Sequence, residues 1–298
     1  MSEIAFIGAI ESGLLFGLVA LGVFISFRIL EFPDLTVDGS LPLGASVAAA
    51  AIVQGCDPYL ATALAMVAGA GAGLVTAWLN VRLKILNLLA SILTMTALYS
   101  INLRIMGRPN QALLGDRTIF SDCESWGLPY YWTSLIVYLI AILAVVALLV
   151  WFLNSETGLA MRATGANARM ARAQGINTGR MTLLGMAISN ALVALAGALF
   201  AQSQGGADVS MGLGVIVTGL AAVILGETVL PARLLVLAVL ACVIGAILYR
   251  LAVAVALNAS FIGLQAQDLK LITAVLVAAA MTLPSVKGRL SARRGGAK

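Results

Sequence analysis

Several polar residues interrupt long apolar stretches of this sequence, and four of them are candidates to do chemistry: Asn102, Asn190, Gln202 and Arg250. If those stretches cross a membrane, a polar side chain inside them is expensive and commonly marks a substrate pathway. For the three amides, hydrogen bonding between helices is an equally good interpretation. Arg250 has no obvious partner among its sequence neighbours, so its role is the most open of the four.

The sequence lacks the residues that several other chemistries need. It contains no His, which excludes Ser-His-Asp triads, histidine metal sites and imidazole proton relays. The three cysteines, Cys56, Cys123 and Cys242, match no zinc-site or CxxC spacing, so no metal is expected. The phosphate-cradling sequence G-x-x-x-x-G-K-[ST] is also absent. We therefore expect that this chain is not an enzyme.

The composition predicts an all-α, polytopic transmembrane helical bundle. Of 298 residues, 61% are hydrophobic and 10% charged, and the mean hydropathy is +1.03. A soluble domain would carry about 25% charged residues. Since a span needs about 20 apolar residues, the chain has room for about eight to ten spans and for no soluble domain. We treat residues 1–298 as one transmembrane domain.

Apolar runs between charged or turn-rich breaks predict about nine spans. They are 4–26, 41–53, 59–79, 85–106, 132–153, 181–202, 212–226, 234–256 and 268–284. The second and the seventh are shorter than the hydrocarbon layer, which predicts broken or re-entrant helices. In the third span, Gly69 and Gly73 form a small-xxx-small pair that predicts close helix packing.

The basic residues predict the orientation of the helices. Lys and Arg accumulate in cytoplasmic loops, and most of the 18 basic residues fall on one side if 154–180 is cytoplasmic. This places the N-terminus outside and the basic tail, 285–298, in the cytoplasm. The net charge of +5 is then explained by loop charge, and nucleic-acid binding is not expected.

A weak internal repeat accompanies the two short spans. DGSLPLG, which begins at Asp38, and DVSMGLG, which begins at Asp208, share Asp, Ser, Leu and Gly at the same spacing. With four spans in each copy and one span between them, the copies would run in opposite directions, as in many transporters. Chance similarity between two helix starts is the alternative.

A polar loop at 154–180 is the longest hydrophilic segment before the C-terminal tail. Residues 166–173 are good helix formers, Asn167 is suited to cap the helix, and Gly175 is suited to end it. Gly158 and Gly165 are expected to allow tight turns. The loop arginines, Arg162, Arg169 and Arg172, would be free to contact carboxylates or membrane phospholipid.

A second polar cluster, Asp34, Thr36, Asp38 and Ser40, precedes the short span 41–53. Ser40 is a natural N-cap, with Pro42 in the first turn of the helix. Capping by Ser40 does not explain the two aspartates.

The polar loop carries an ordered set of residues that resembles a known family. In sequence order the set is Gly158, Arg162, Ala163, Gly165, Asn167, Ala171, Arg172, Gly175, Ile176 and Asn177. At these positions the chain resembles the membrane subunits of ABC importers of the branched-chain amino acid and ribose type. The segments 32–45 and 267–284 resemble a branch of these permeases labelled tryptophan/tyrosine transporters.

The resemblance implies that 156–180 is a coupling helix docked in a groove of an ATPase subunit, with Gly158, Arg162, Ala163, Gly165, Asn167, Ala171, Arg172 and Gly175 at the contact. It implies that ATP is bound by that ATPase and that this chain binds no cofactor. It further implies an extracytoplasmic binding protein, which would be periplasmic or a lipoprotein, and a second permease copy or a paralogue in the inner (plasma) membrane. Asp34, Thr36 and Asp38 would lie near the translocation path.

An ion-coupled secondary transporter is the main alternative function. Such a protein would need carboxylates in its core, and the sequence offers no carboxylate at mid-span. The predicted topology also places Cys56 and Cys123 in outer loops, where they could form a disulfide.

Overall fold

The computed structural model describes residues 3–124, 130–230 and 234–258, together with residues 274, 275 and 278. The all-α prediction is confirmed. Within these residues, seven helical segments are long and apolar enough to cross a membrane, and an eighth apolar helix is shorter. Most of the ninth predicted span and the whole tail, 285–298, lie outside the described residues.

In the described part of the chain, eight apolar helices form the bundle. They are α1 (Glu3–Val23), α2 (Val37–Val53), α3 (Pro58–Leu83), α4 (Asn87–Met106), α6 (Tyr130–Asn154), α9 (Thr178–Gln204), α10 (Val215–Val229) and α11 (Leu235–Asn258). Between them lie the short helices α5 (Ile119–Glu124), α7 (Glu156–Ala166) and α8 (Ala168–Ala173). Strands β1 (Asn110–Ala112) and β2 (Gly206–Asp208) pair antiparallel and so join the ends of α4 and α9.

Two irregular segments lead into the short helices. After α1 the chain continues as a π-helix, Phe24–Ile29, and turns back through Glu31 at φ 52° to begin α2. A 3₁₀ turn, Val209–Gly212, leads from β2 to α10. With 17 residues, α2 is about 25 Å long, so the prediction of a short second span is confirmed. The α-helix α10 has 15 residues, but together with the 3₁₀ turn it forms a 21-residue segment long enough to cross a membrane, so the prediction that the seventh span is too short was wrong.

The predicted start of α2 was wrong. The helix begins at Val37, and Ser40 lies inside it, buried, so Ser40 is not the N-cap. The helix starts earlier because the Asp34 carboxylate accepts a hydrogen bond from the Thr36 backbone N–H, 2.9 Å away. This turn lies before the apolar run, from which the start of the helix was predicted.

The core of α2, α3 and α9 is closed by glycines that bring backbones together. A Cβ at Gly73 would lie 2.1 Å from the Met186 backbone oxygen, and one at Gly69 would lie 2.5 Å from that of Asn190. A Cβ at Gly44 would lie 2.0 Å from the Ala194 oxygen. Real Cβ atoms do not approach so closely, so these positions require glycine. The close packing predicted from Gly69 and Gly73 is confirmed.

Replacing Gly73 with Leu should therefore separate α3 from α9. We expect a loss of about 3 kcal/mol in stability, the upper part of the usual range for overpacking. Thermal unfolding of the purified protein in detergent measures this. Gly71→Leu is the matched control, because Gly71 lies on the same helix with nothing within 4 Å of its would-be Cβ. Equal melting temperatures for the two variants would contradict the packing argument.

The helix contacts follow the proposed repeat. The third helix of each predicted copy packs on the first helix of the other, since α3 lies against α9 and α11 lies against α1. The second helix of each copy also packs on the first helix of the other copy, since α2 lies against α9 and α10 lies against α1. Two interlocked copies would give this pattern. The inverted orientation of the copies stays a prediction.

Candidate functional site

The polar loop folds as two consecutive helices, α7 and α8, instead of one. Ser155 caps α7 by accepting from the Gly158 N–H, and Asn167 caps α8 by accepting from the N–H groups of Arg169 and Met170. The helix predicted at 166–173 and its Asn167 cap are confirmed. Gly175 follows α8 at φ 85°, a left-handed conformation that favours glycine. Helix α7 was not predicted, because its sequence carries little apolar periodicity.

The turn roles predicted for Gly158 and Gly165 were wrong, because both lie inside α7. A Cβ at Gly165 would lie 1.9 Å from the Ile29 backbone oxygen, at the end of the π-helix. A Cβ at Gly158 would lie 2.2 Å from the Phe152 oxygen. Both glycines therefore permit close approach between backbones. At Gly165, helix α7 contacts the backbone that leads into α2.

The α7–α8 surface is partly exposed. Ala163, Asn167, Arg172 and Gly175 are exposed, whereas Arg162 is half-buried. Of the remaining three predicted contact residues, Gly165 is half-buried, and Gly158 and Ala171 are buried, so the last two can only position this surface. Sequence reasoning missed its apolar part, since Leu159 and Met170 are 52% and 63% exposed. The signal in the sequence is the presence of apolar residues within an otherwise polar loop, because such residues form exposed apolar patches.

A groove of about 450 Å³ lies where α7 meets the end of the π-helix. Its lining residues are Arg28, Ile29, Glu31, Leu159, Arg162, Ala163 and Ala166. At its edge Arg28 forms a bidentate ion pair with Glu227 at the end of α10, with Nε–Oε1 and Nη2–Oε2 distances of 2.5 and 2.9 Å. This ion pair therefore links the π-helix that follows α1 to the end of α10, beside α7.

A buried polar cluster lies directly after the π-helix. The Asn190 side chain donates from Nδ2 to Asp34 Oδ2 at 2.8 Å and accepts at Oδ1 from Ser40 Oγ at 2.7 Å. The hydroxyls of Thr36 and Thr76 are 2.8 Å apart. All five residues are fully buried. Asn190 is twelve residues into α9, roughly 18 Å along the helix, so the cluster lies deep in the bundle.

The cluster joins three helices around one carboxylate, so the expectation that no carboxylate lies at mid-span depth was wrong. Among the residues that the structure describes, no cationic side chain pairs with Asp34, which accepts hydrogen bonds from the Thr36 N–H and hydroxyl and from the Asn190 amide. Asp34, Thr36 and Asn190, which the sequence suggested separately, are thus brought together. For Asn190 the structure supports hydrogen bonding between helices.

Gln202 is engaged in the same manner near the other end of α9. Its Nε2 donates to Thr62 Oγ1 at 2.8 Å, and its Oε1 accepts from the Ile119 N–H at 3.1 Å. It is buried and links α9 to α3 and α5. Hydrogen bonding between elements accounts for this amide as well.

Asp38 and Asn102 line a cavity of about 210 Å³ between α2, α4 and the 3₁₀ turn. The Asp38 carboxylate accepts from the N–H groups of Gly214 and Ile216, at 3.2 and 2.8 Å, at the start of α10. The Asn102 Nδ2 donates to the Gly39 oxygen at 3.3 Å. The Asn102 Oδ1 is buried and has no hydrogen-bond partner in the described part of the chain. The cavity therefore lies at the N-termini of both short helices.

Asp208, the repeat counterpart of Asp38, is half-buried at the end of strand β2. Its carboxylate accepts from the hydroxyl and the N–H of Ser210, and these hydrogen bonds lower the pKa of Asp208. The two aspartates thus share a motif but occupy different environments.

Arg250 packs on α1 and does not line this cavity. Its guanidinium carbon is 3.7 Å from the centroid of the Phe16 ring, a cation–π contact. Its Nε is buried without a hydrogen-bond partner among residues 3–124, 130–230 and 234–258.

The disulfide suggested for Cys56 and Cys123 is not formed in the structure, where both are free cysteines, as is Cys242. Cys123 is buried in the main core on α5, whereas Cys56 follows α2 in a partly exposed loop. Burial raises the pKa of the Cys123 thiol, which disfavours the reactive thiolate.

Together, the apolar helices and the deep polar groups define a multi-pass membrane protein built as a transport permease. Residues 6–283 match the family described as branched-chain amino acid transport system / permease component. The chain belongs to this family, which makes it a transport subunit of the membrane.

Two similar proteins support this assignment. The chain is 38% identical over 273 residues to a protein of Clostridioides difficile (strain R20291) named tyrosine transport system permease protein, covering 92% of this chain and 89% of that protein. It is 35% identical over 288 residues to the uncharacterized protein RP368 of Rickettsia prowazekii (strain Madrid E), covering 94% and 97%.

A solved structure shares the fold. PsaBC from Streptococcus pneumoniae in complex with Fab matches with a TM-score of 0.52 at 15% identity, over 94% of this chain and 91% of that one.

Proposed function

We propose that this chain is the membrane subunit of an ATP-driven ABC importer that moves an amino acid, or a similar small solute, into the cytoplasm. The observation that carries the proposal is the α7–α8 surface, which exposes apolar side chains and presses on the π-helix through Gly165. The family and the tyrosine-permease relative support amino-acid transport. The chain has no phosphate-binding loop, so ATP is bound by an ATPase partner, and this chain needs no cofactor.

A short structural route connects the α7–α8 surface to the interior. Gly165 contacts Ile29, and five residues later Asp34 enters the buried polar cluster and begins the turn into α2. A displacement of α7 is therefore transmitted to the start of α2 through a few residues of backbone. Closure of the ATPase on ATP would drive this displacement and switch the helices between outward-open and inward-open states.

The surface of α4 supports a path between two permease copies. Thr96, Tyr99 and Ser100 on this helix are exposed, although polar side chains are disfavoured against lipid. A second copy, or a paralogue, placed against α4 would enclose them. An extracytoplasmic binding protein delivers the solute, and the assembly resides in the inner (plasma) membrane.

The Met170→Glu substitution tests the ATPase contact. Met170 is an exposed apolar residue on α8, so a charge there should remove most of the ATPase that co-purifies with the permease. Loss of one well-packed apolar contact of about 2–3 kcal/mol predicts at least a tenfold drop in recovered ATPase. The measurement is the ATPase-to-permease ratio after affinity purification of the co-expressed subunits.

The matched control is Leu114→Glu. Leu114 is 88% exposed and follows β1, beyond the opposite end of the bundle from α8. ATPase recovery should be normal with this variant. Equal recovery of the ATPase with both variants would contradict the proposed contact. Solute uptake by the chain alone, driven by an ion gradient, would show that the protein is a secondary transporter and not an ABC importer.

A further inference from the structure

The cavity between α2, α4 and the 3₁₀ turn contains hydrogen-bond acceptors that the described residues do not satisfy. Asn102 is completely buried, and its Oδ1 has no partner among these residues. A buried acceptor without a donor costs about 1–3 kcal/mol. The Nδ2 atom of the same amide donates to the Gly39 oxygen, so Oδ1 is the amide atom without a partner.

Asp38 adds a carboxylate to the same cavity. The Gly214 and Ile216 N–H groups donate to its two oxygens at the start of α10. The Val215 N–H also interacts with this carboxylate. A carboxylate can accept about four hydrogen bonds, so these three N–H groups leave it with acceptor capacity. The unused hydrogen-bonding capacity of Asp38 and Asn102 is therefore entirely that of acceptors.

The walls of the cavity supply no cation to meet these acceptors. Its lining residues are Asp38, Gly39, Pro42, Met95, Thr96, Tyr99, Asn102, Val209 and Leu213, which include no Lys or Arg. Its volume of about 210 Å³ is below the range of about 300–1,000 Å³ that holds a whole drug-sized ligand. It suits one end of a small solute, provided that this end carries N–H donors.

The cavity also adjoins the exposed side of α4. Tyr99 lines it and is 56% exposed, so a molecule lying along α4 can place one end inside the cavity. The aromatic face of Tyr99 attracts a cation as well.

We propose that this cavity receives the ammonium group of the transported amino acid, with Asn102 Oδ1 and Asp38 as its acceptors and Tyr99 beside it. This inference rests on the proposed importer function and deepens it by assigning a solute contact within the membrane subunit. The carboxylate and the side chain of the solute lie outside the cavity, along α4.

Binding to the permease–ATPase complex in nanodiscs, without the binding protein, tests the proposal. The probes are L-tyrosine, tyramine, which keeps the ammonium but lacks the carboxylate, and 3-(4-hydroxyphenyl)propionate, which lacks the ammonium. The wild type should bind the first two and discriminate against the third. Asn102→Leu should weaken the binding of L-tyrosine and tyramine about tenfold, the value of one hydrogen bond to a charged group.

Tyr99→Leu removes the aromatic face at an exposed position and buries no new charge, so it should also weaken tyramine binding. This variant controls for misfolding, and thermal unfolding of both variants is measured in parallel. Equal binding of the propionate and tyramine to the wild type, or unchanged tyramine binding in Asn102→Leu, would overturn the ammonium site while ATP-driven uptake remained intact. Failure of the wild-type complex to bind or take up any amino acid would instead overturn the proposed function, and the site with it.

Discussion

Replacing Asn190 with Asp should abolish transport and strongly destabilise the protein. The new carboxylate would stand at hydrogen-bond distance from Asp34, because Asn190 Nδ2 and Asp34 Oδ2 are 2.8 Å apart. Two like charges in a fully buried site cannot both remain ionised. The substitution also removes the donor that stabilises Asp34. We expect a loss of about 3–5 kcal/mol, the usual cost of breaking a buried charged contact.

The exchange of the two residues provides an internal control. In the double variant Asp34→Asn/Asn190→Asp, residue 34 supplies the amide donor and residue 190 supplies the carboxylate. The hydroxyl of Ser40 can still donate to residue 190, as it does to Asn190 Oδ1. The double variant should therefore recover much of the stability that Asn190→Asp loses. Thermal unfolding and uptake are measured for the wild type, both single variants and the double variant, and additive losses would show that the pair is not coupled.

Replacing Gly165 with Leu should uncouple ATP hydrolysis from uptake. A Cβ at this position would lie 1.9 Å from the Ile29 oxygen, so α7 must move away from the π-helix by more than an ångström. The exposed face that carries Met170 is unchanged, so the ATPase should still co-purify. We expect uptake per ATP hydrolysed to fall at least tenfold, because a misplacement of about 1 Å can reduce a finely positioned activity a hundredfold.

The comparison for this experiment is Gly71→Leu, which makes the same chemical change at a position where the new Cβ has no atom within 4 Å. It should leave the uptake-to-hydrolysis ratio at the wild-type value. A normal ratio in Gly165→Leu would show that the contact between α7 and Ile29 does not transmit the ATPase movement.

The sequence predicts the membrane helices well because their apolar runs are local and long. The Asn167 cap was equally predictable, since a capping side chain bonds N–H groups two and three residues away. Glycine roles were not predictable in this way. Gly165 and Gly175 look alike in the sequence, yet one permits a contact with Ile29 and the other adopts a positive φ.

The buried polar cluster could not be assembled from the sequence, because its partners are far apart along the chain. Asp34 and Asn190 are separated by 156 positions, and Arg28 and Glu227 by 199. Each residue could be singled out as costly in a membrane, but its partner depends on how the helices pack. The start of α2 was misplaced for the same reason, since the cluster lies before the apolar run.

The glycine contacts among α2, α3 and α9 also have a mechanical meaning. Where backbone touches backbone, neither helix can slide or roll without a steric clash, because no flexible side chain lies between them to change its rotamer. These three helices should therefore move as a single rigid block. Helices α4 and α6 are the least buried of the long spans, so the relative motion that opens and closes a path would be concentrated at their edges, where hinges and sliding contacts are least constrained.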